Sequence, residues 1–164
     1  MARIVAVVAE LFDWVLLAYR LPREPSTPRI TVWRKLKRLG VAQVLDGLVA
    51  LPADARSREQ LEWIADEVVE AGGAATVWLG RPGSAAQQRA LASAMTAIVA
   101  DAYRAVLEAA IDATDADEAE RRRTLARLRR ELHRIGLCDH FPPPERTAAR
   151  RAVNALGAAV EVSS

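Results

Sequence analysis

The fold is decided by residues 14–51, which read WVLLAYRLPREPSTPRITVWRKLKRLGVAQVLDGLVAL. The continuous apolar run Trp14–Tyr19 is typical of a strand that is buried on both faces. A polar cap at Ser26, followed by proline, predicts a helix over residues 29–39. Asp46-Gly47 then separates two short apolar runs and favours the positive φ angles of a tight turn. The stretch therefore predicts a strand, a helix and a β-hairpin, in that order.

Two further segments complete this pattern after the hairpin. Residues 57–60 read as a capping box that opens a second helix, and Gly72-Gly73 ends it. Residues 75–79 predict a fourth strand. The order β-α-β-β-α-β is the split βαβ arrangement of ferredoxin-like folds, with both helices on one face of the sheet. The tryptophans fall on inward positions, so we predict that they belong to the core, with stacking platforms as the alternative role: Trp14, Trp33, Trp63 and Trp78.

Beyond Gly83 the sequence changes to alanine, arginine and acidic residues with helical periodicity. A polar cap at Ser84 predicts a long helix, and acidic residues 112–120 mark the break that follows it. A leucine and isoleucine seam then predicts a helix that ends at Gly136. A last amphipathic helix is predicted over residues 145–160.

The length of 164 residues allows one core with an appendage. We therefore predict an α+β fold with a ferredoxin-like core over residues 1–83 and a helical extension over residues 84–164 packed on that core. The single cysteine, Cys138, excludes an internal disulfide framework, so a cytoplasmic location is expected. No stretch reaches the roughly 18 uncharged apolar residues of a membrane span, so no membrane association is expected.

The distribution of basic residues is more informative than the net charge of +2. One basic cluster surrounds the first helix, where guanidinium and ammonium groups on a common surface would suit DNA phosphates. The alternative is an ordinary solvated helix face. The predicted DNA-binding residues are Arg20, Arg23, Arg29, Arg34, Lys35, Lys37 and Arg38.

A second group of arginines follows the acidic break. Arg121, Arg122 and Arg123 lie near a predicted helix N-terminus, where guanidinium groups and free amides would suit a tetrahedral oxyanion such as sulfate. The alternative is pairing with acidic residues one helical turn away. The sequence therefore predicts an oxyanion site here or a set of intrahelical ion pairs.

Catalysis has little support in the sequence, because nucleophile, zinc-protease, phosphate-loop and dinucleotide motifs are absent. Asp13 and Asp46 are the best acidic candidates for a metal site, with strand entry and hairpin turn as their alternative roles. His133, Cys138 and His140 lie close together but lack the spacing of a structural zinc site. We predict a protein that is not an enzyme and has no cofactor or metal.

The motifs of the first strand and helix also carry a family resemblance. Tyr19-Arg-Leu-Pro22, Pro25-Ser-Thr-Pro-Arg29, Trp33-Arg-Lys-Leu-Lys-Arg-Leu-Gly40 and Asp46-Gly47 resemble the N-terminal domain of the chromate-resistance regulator ChrB. The resemblance implies a chromate-responsive transcriptional regulator of an efflux operon. Proteins of this family usually carry a further C-terminal domain, and the chain stops where that domain would begin. Part of the sensing function is therefore expected to be missing.

The same core is similar to the last domain of PaaX-type repressors and to the small subunit of CRISPR adaptation. In the latter, carboxylates of the first strand serve a metal-dependent nuclease, whereas this strand ends Ala18-Tyr19-Arg20. The favoured hypothesis is therefore a homodimeric regulator that binds promoter DNA through its basic helix, with chromate as effector. The alternative is an oxyanion or protein-interaction module without DNA binding.

Overall fold

The computed structural model describes residues 10–162. In this part of the chain the elements, in order, are β1 (Trp14–Arg20), α1 (Thr27–Leu39), β2 (Ala42–Leu45), β3 (Leu48–Pro52), α2 (Ala55–Glu70), β4 (Ala74–Gly80), α3 (Ala85–Asp112), α4 (Glu118–Cys138) and α5 (Glu145–Val162). A short 3-10 turn, Ala113–Asp115, separates α3 from α4. The predicted α+β class, with a C-terminal helical extension, is confirmed.

The strands form one antiparallel sheet in the order β2-β3-β1-β4. In the central strand β1, Trp14 lies opposite Pro52 of β3 and Gly80 of β4. Side chains alternate between the two faces of a strand. Val15 and Leu17 are fully buried together with residues of α1 and α2, and α2 contacts both β1 and β4. This is the ferredoxin-like topology, with one sheet face covered by the two helices.

The chain forms two compact units, one ending at Met95 and the other beginning at Thr96. The boundary lies inside α3, so the first turns of that helix belong with the sheet rather than with the predicted extension. In the second unit α4 packs against α5, and the buried apolar cluster includes Tyr103, Val106, Leu125, Leu128, Val153 and Leu156. The packing of an extension on the core stays a prediction.

Some helix ends differ from the predicted ones. The helix α2 begins at Ala55, before the predicted capping box, because Asp54 is the cap: its Oδ1 accepts a hydrogen bond from the Ser57 amide at 2.6 Å. The helix α4 continues through Gly136 and ends at Cys138. Ser26 precedes α1 as expected, but its side chain makes no capping hydrogen bond.

The prediction of four core tryptophans is only partly right. Trp14 is fully buried and Trp33 is half-buried, whereas Trp63 and Trp78 are 61% and 60% exposed. Trp63 lies beside the buried stripe of α2 rather than on it. Trp78 lies opposite Leu16 in the sheet register, on the face that α1 and α2 do not cover.

The segment Ala85–Asp115 is long and apolar enough, by length and composition, to cross a membrane. It includes the charged residues Asp101 and Arg104, and it supplies Tyr103 and Val106 to the buried cluster of the second unit. A helix of a protein core passes the same test, so this finding alone is weak support for a membrane span.

Candidate functional site

A cleft of about 730 Å³ opens where β1 ends, between the start of α1 and the β2–β3 hairpin. Its lining combines three arginines with two aromatic rings and one carboxylate. The arginines are Arg20, Arg23 and Arg29, the rings are Tyr19 and Trp33, and the carboxylate is Asp46. We call this feature the basic cleft.

The hairpin wall of the basic cleft is held against β1 by the backbone. The Tyr19 amide donates a hydrogen bond to the Gly47 carbonyl at 2.7 Å. Gly47 has a φ of 75°, and a Cβ at this position would lie 2.4 Å from the Tyr19 carbonyl oxygen. Only glycine allows both the positive φ and this close approach without strain. Gly47 therefore forms the hairpin turn and also lets the hairpin pack against β1.

The three arginines of the basic cleft are exposed and are not engaged in ion pairs with other described residues, 10–162. The first turn of α1 contains no acidic residue. The three guanidinium groups outnumber the exposed carboxylates of Glu24 and Asp46 beside them and are available to bind a phosphate or another anion.

Tyr19 lies between the opposite charges of the basic cleft. Burial raises the pKa of its phenol above the usual value, Asp46 raises that pKa further, and Arg29 opposes the shift. The phenol therefore stays protonated over a wider range of pH and remains a hydrogen-bond donor inside the cleft.

The helix α1 extends the positive surface beyond the basic cleft. Lys37 follows Trp33 by one turn, and its Nζ lies 5.5 Å from the centre of the indole ring. Arg34 and Arg38 are exposed beside this stripe. Lys35 differs from the rest of the predicted set, because it is partly buried and pairs with Glu67 of α2. We call Arg34, Lys37 and Arg38 the helix cations.

The second predicted site, at the start of α4, has a different arrangement. Arg122 pairs with Glu118 at 2.6 Å, as the alternative of intrahelical pairing predicts. The Asp117 side chain accepts a hydrogen bond from the Glu120 amide at 2.8 Å, so a carboxylate already occupies the helix N-terminus. Consecutive helical residues point about 100° apart, which separates Arg121, Arg122 and Arg123 around the helix. An oxyanion site here stays a prediction.

The remaining candidates do not form a metal site in the part of the chain that the structure describes, where no suitable group of three ligands occurs. Asp13 pairs with Arg81 at 2.6 Å, and Asp46 accepts a hydrogen bond from Gln43 at 3.4 Å. Burial raises the pKa of the Cys138 thiol, which favours its neutral form. His133 lies on the exposed surface of α4.

Two polar arrangements were not predicted from the sequence. In the second unit, the Asp139 carboxylate is fully buried and accepts hydrogen bonds from the Tyr103 hydroxyl at 2.8 Å and the Arg146 guanidinium at 3.3 Å. In the sheet unit, Gln88 is fully buried and binds the Glu10 carbonyl, the Phe12 amide and the Trp14 indole. Neither has a signal in local periodicity, because the partners are distant in sequence.

The family described as "Protein ChrB, N-terminal" matches residues 29–163. Protein ChrB of Cupriavidus metallidurans is 30% identical over 154 residues, which cover 91% of this chain and 47% of that protein. The chain thus spans about half the length of this curated relative, and no solved structure matches it. Because the family match extends over most of the chain, from the first turn of α1 through all the helices that follow, the chain belongs to the ChrB N-terminal family.

Proposed function

We propose that this chain is a regulatory protein of chromate resistance that binds promoter DNA through the basic cleft and the helix cations. Membership in the ChrB N-terminal family supports a role related to chromate resistance. The observation that carries the DNA-binding part is the set of exposed cations in the basic cleft and on α1, none of which is ion-paired with another described residue. Phosphate contacts from such a surface would position the protein on a duplex.

The effector and the cell compartment are proposed on the family relationship. Chromate would act as the effector, and the protein would work in the cytoplasm. The oxyanion is expected to change the affinity for promoter DNA, as differential binding to two states requires. Promoter binding with and without chromate tests this proposal.

Replacing Arg34 and Lys37 together with glutamine tests the role of the helix cations. Each lost phosphate contact removes about one unit from the slope of log affinity against log salt, so we expect the slope to fall by about two units for every DNA sequence. Stability should fall by no more than about 1 kcal/mol, because both side chains are exposed and only the contact of Lys37 with the Trp33 ring is lost. Electrophoretic mobility shifts over a salt series measure the slope.

Arg56→Gln is the matched control for the double variant. Arg56 is exposed at the start of α2. The preceding strand ends at Pro52, which pairs with the first residue of β1, whereas the basic cleft lies at the last residue of β1. The slope of log affinity against log salt for Arg56→Gln should equal that of the wild type. A folded double variant with unchanged slope and affinity would remove the DNA-binding proposal and favour an oxyanion or protein-interaction module.

We also propose a homodimer, supported by the edge strand β4. This strand pairs with β1 on one side, and its Trp78 and Leu79 are 60% and 57% exposed. Exposed apolar side chains on an edge strand favour association with another chain. Sedimentation velocity at micromolar concentration should therefore give a species of about twice 17.9 kDa.

Trp78→Lys should shift the dimer to the monomer, whereas Trp63→Lys should leave it unchanged. Trp63 is equally exposed but lies on helix α2 and not on the edge strand. A wild-type protein that sediments only as a monomer would contradict the dimer.

A further inference from the structure

We infer that the basic cleft binds one nucleotide, with its phosphate on the arginines and its base against Trp33. This inference rests on the proposed nucleic-acid function and adds the class of ligand that the cleft accepts. The nucleotide is either free or part of an unpaired strand, and both share the chemistry of a phosphate joined to an aromatic base.

The size of the basic cleft favours a nucleotide over a bare ion. Its volume of about 730 Å³ lies within the range of about 300–1,000 Å³ that is typical of sites for larger organic ligands. A tetrahedral oxyanion has five heavy atoms and would leave most of this space unfilled. The phosphates of an intact duplex would contact the arginines at the mouth but would leave the aromatic interior empty.

The mouth of the cleft has the charge of a phosphate site. Arg20 ends β1, Arg23 follows in the connecting loop, and Arg29 lies in the first turns of α1. Their planar guanidinium groups suit bidentate hydrogen bonding to phosphate oxygens. Because none of them is engaged by a carboxylate among the described residues, a phosphate would not have to displace an ion pair.

The interior of the cleft has the chemistry of a base site. Trp33 lies one helical turn after Arg29, so the ring and the guanidinium share a face of α1. The indole is only half-buried and lines the cleft, with Lys37 over one of its faces, which leaves its remaining exposed area available for stacking. Asp46 lies on the hairpin wall, where its carboxylate repels phosphate and can accept hydrogen bonds from base N–H groups. A bound nucleotide would therefore have one orientation.

Isothermal titration calorimetry on the whole chain tests the inference with three probes: guanosine 5′-monophosphate, adenosine 5′-monophosphate and ribose 5-phosphate. Stacking of one base on an aromatic side chain corresponds to about five- to 150-fold in affinity. We therefore expect both nucleotides to bind at least about fivefold more tightly than ribose 5-phosphate. A hexanucleotide single strand that displaces the mononucleotide identifies a strand as the source, and failure to displace it identifies the free nucleotide.

Substitutions at Trp33 separate stacking from folding. Trp33→Leu keeps an apolar side chain and should bring the nucleotides to the affinity of ribose 5-phosphate, whereas Trp33→Phe should retain part of the difference. Trp63→Ala, which removes an exposed indole on α2, should bind as the wild type does. Thermal unfolding monitored by circular dichroism checks that each variant is folded.

Equal affinity for nucleotides and ribose 5-phosphate, or no binding of either, would overturn the inference. If the duplex still bound with a steep salt slope in that case, the proposed function would stand. Nucleotide binding without any duplex binding would instead remove the proposed function and leave the inference intact.

Discussion

Replacing Asp139 with alanine should lower the free energy of unfolding by about 2–4 kcal/mol. The Asp139 carboxylate is fully buried just after α4, and its Oδ2 accepts hydrogen bonds from Tyr103 and Arg146. Truncation leaves the hydroxyl of the fully buried Tyr103 without this acceptor and the partly buried Arg146 without its counter-charge. Urea denaturation followed by circular dichroism measures the change.

Asp101→Ala is the matched control for this prediction. Asp101 also pairs with an arginine, Arg104, but its side chain is 72% exposed. An exposed ion pair contributes at most about 1 kcal/mol, so this variant should be close to the wild type. Equal stability of the two variants would show that burial of the Asp139 carboxylate carries no energetic weight.

The pH dependence of stability provides a second check on the same contact. Burial, followed by the hydrogen bond to Asp139, raises the pKa of Tyr103 from 10.0 to about 12. Below pH 10 the Tyr103 phenol is protonated in the folded and the unfolded chain, and its contribution to the free energy of unfolding is complete. Between about pH 10 and 12 the unfolded chain loses this proton first, so stability should fall by up to about 3 kcal/mol. Tyr103→Phe should reduce that decline.

Replacing Gly47 with alanine should destabilise the protein by about 2–4 kcal/mol. The new Cβ would lie 2.4 Å from the Tyr19 carbonyl oxygen, and the φ of 75° disfavours any side chain. The clash is with backbone, which has no other rotamer to adopt, so the hairpin must move away from β1. Thermal and urea unfolding should both detect the loss, and ligand affinity at the basic cleft should fall with it.

Gly136→Ala is the control, because Gly136 lies inside α4 and no described atom lies within 4 Å of its added Cβ. Alanine should stabilise this helix by about 0.5–1 kcal/mol. A Gly47→Ala variant as stable as the wild type would contradict the close approach between the hairpin and Tyr19.

The elements of the sheet unit were predictable because their signals are local. The apolar run of β1, the Asp46-Gly47 turn and the Gly40 stop of α1 each determine a few residues of backbone. The cap of α2 was missed because Asp54 and Ser57 compete as caps in the sequence, and the chain uses the earlier one. Trp78 was misplaced because one face of the sheet has no covering helix from α1 or α2, which periodicity does not reveal.

The candidate site was predictable in composition but not in shape. The sequence shows the cluster of arginines and lysines. Only the structure shows that Lys35 pairs with Glu67, whereas the helix cations have no such ion pair among the described residues. The enclosure of Trp33 and Tyr19 with three arginines depends on the hairpin meeting the end of β1. The Tyr103–Asp139–Arg146 cluster joins α3, the end of α4 and α5. No local sequence pattern therefore predicts it.

The contacts of Gln88 constrain when the sheet unit, which ends at Met95, can finish folding during synthesis. This side chain, in the first turns of α3, meets Glu10, Phe12 and Trp14 across 74 to 78 positions of chain. During translation β1 leaves the ribosome before Gln88 has been synthesised. The hydrogen bond between the Trp14 indole and Gln88 therefore forms only later. Contacts of such sequence separation slow folding, and they place completion of the sheet unit after synthesis of all four strands. Residues 10–14 are thus held in place by one of the last residues of their unit to be synthesised.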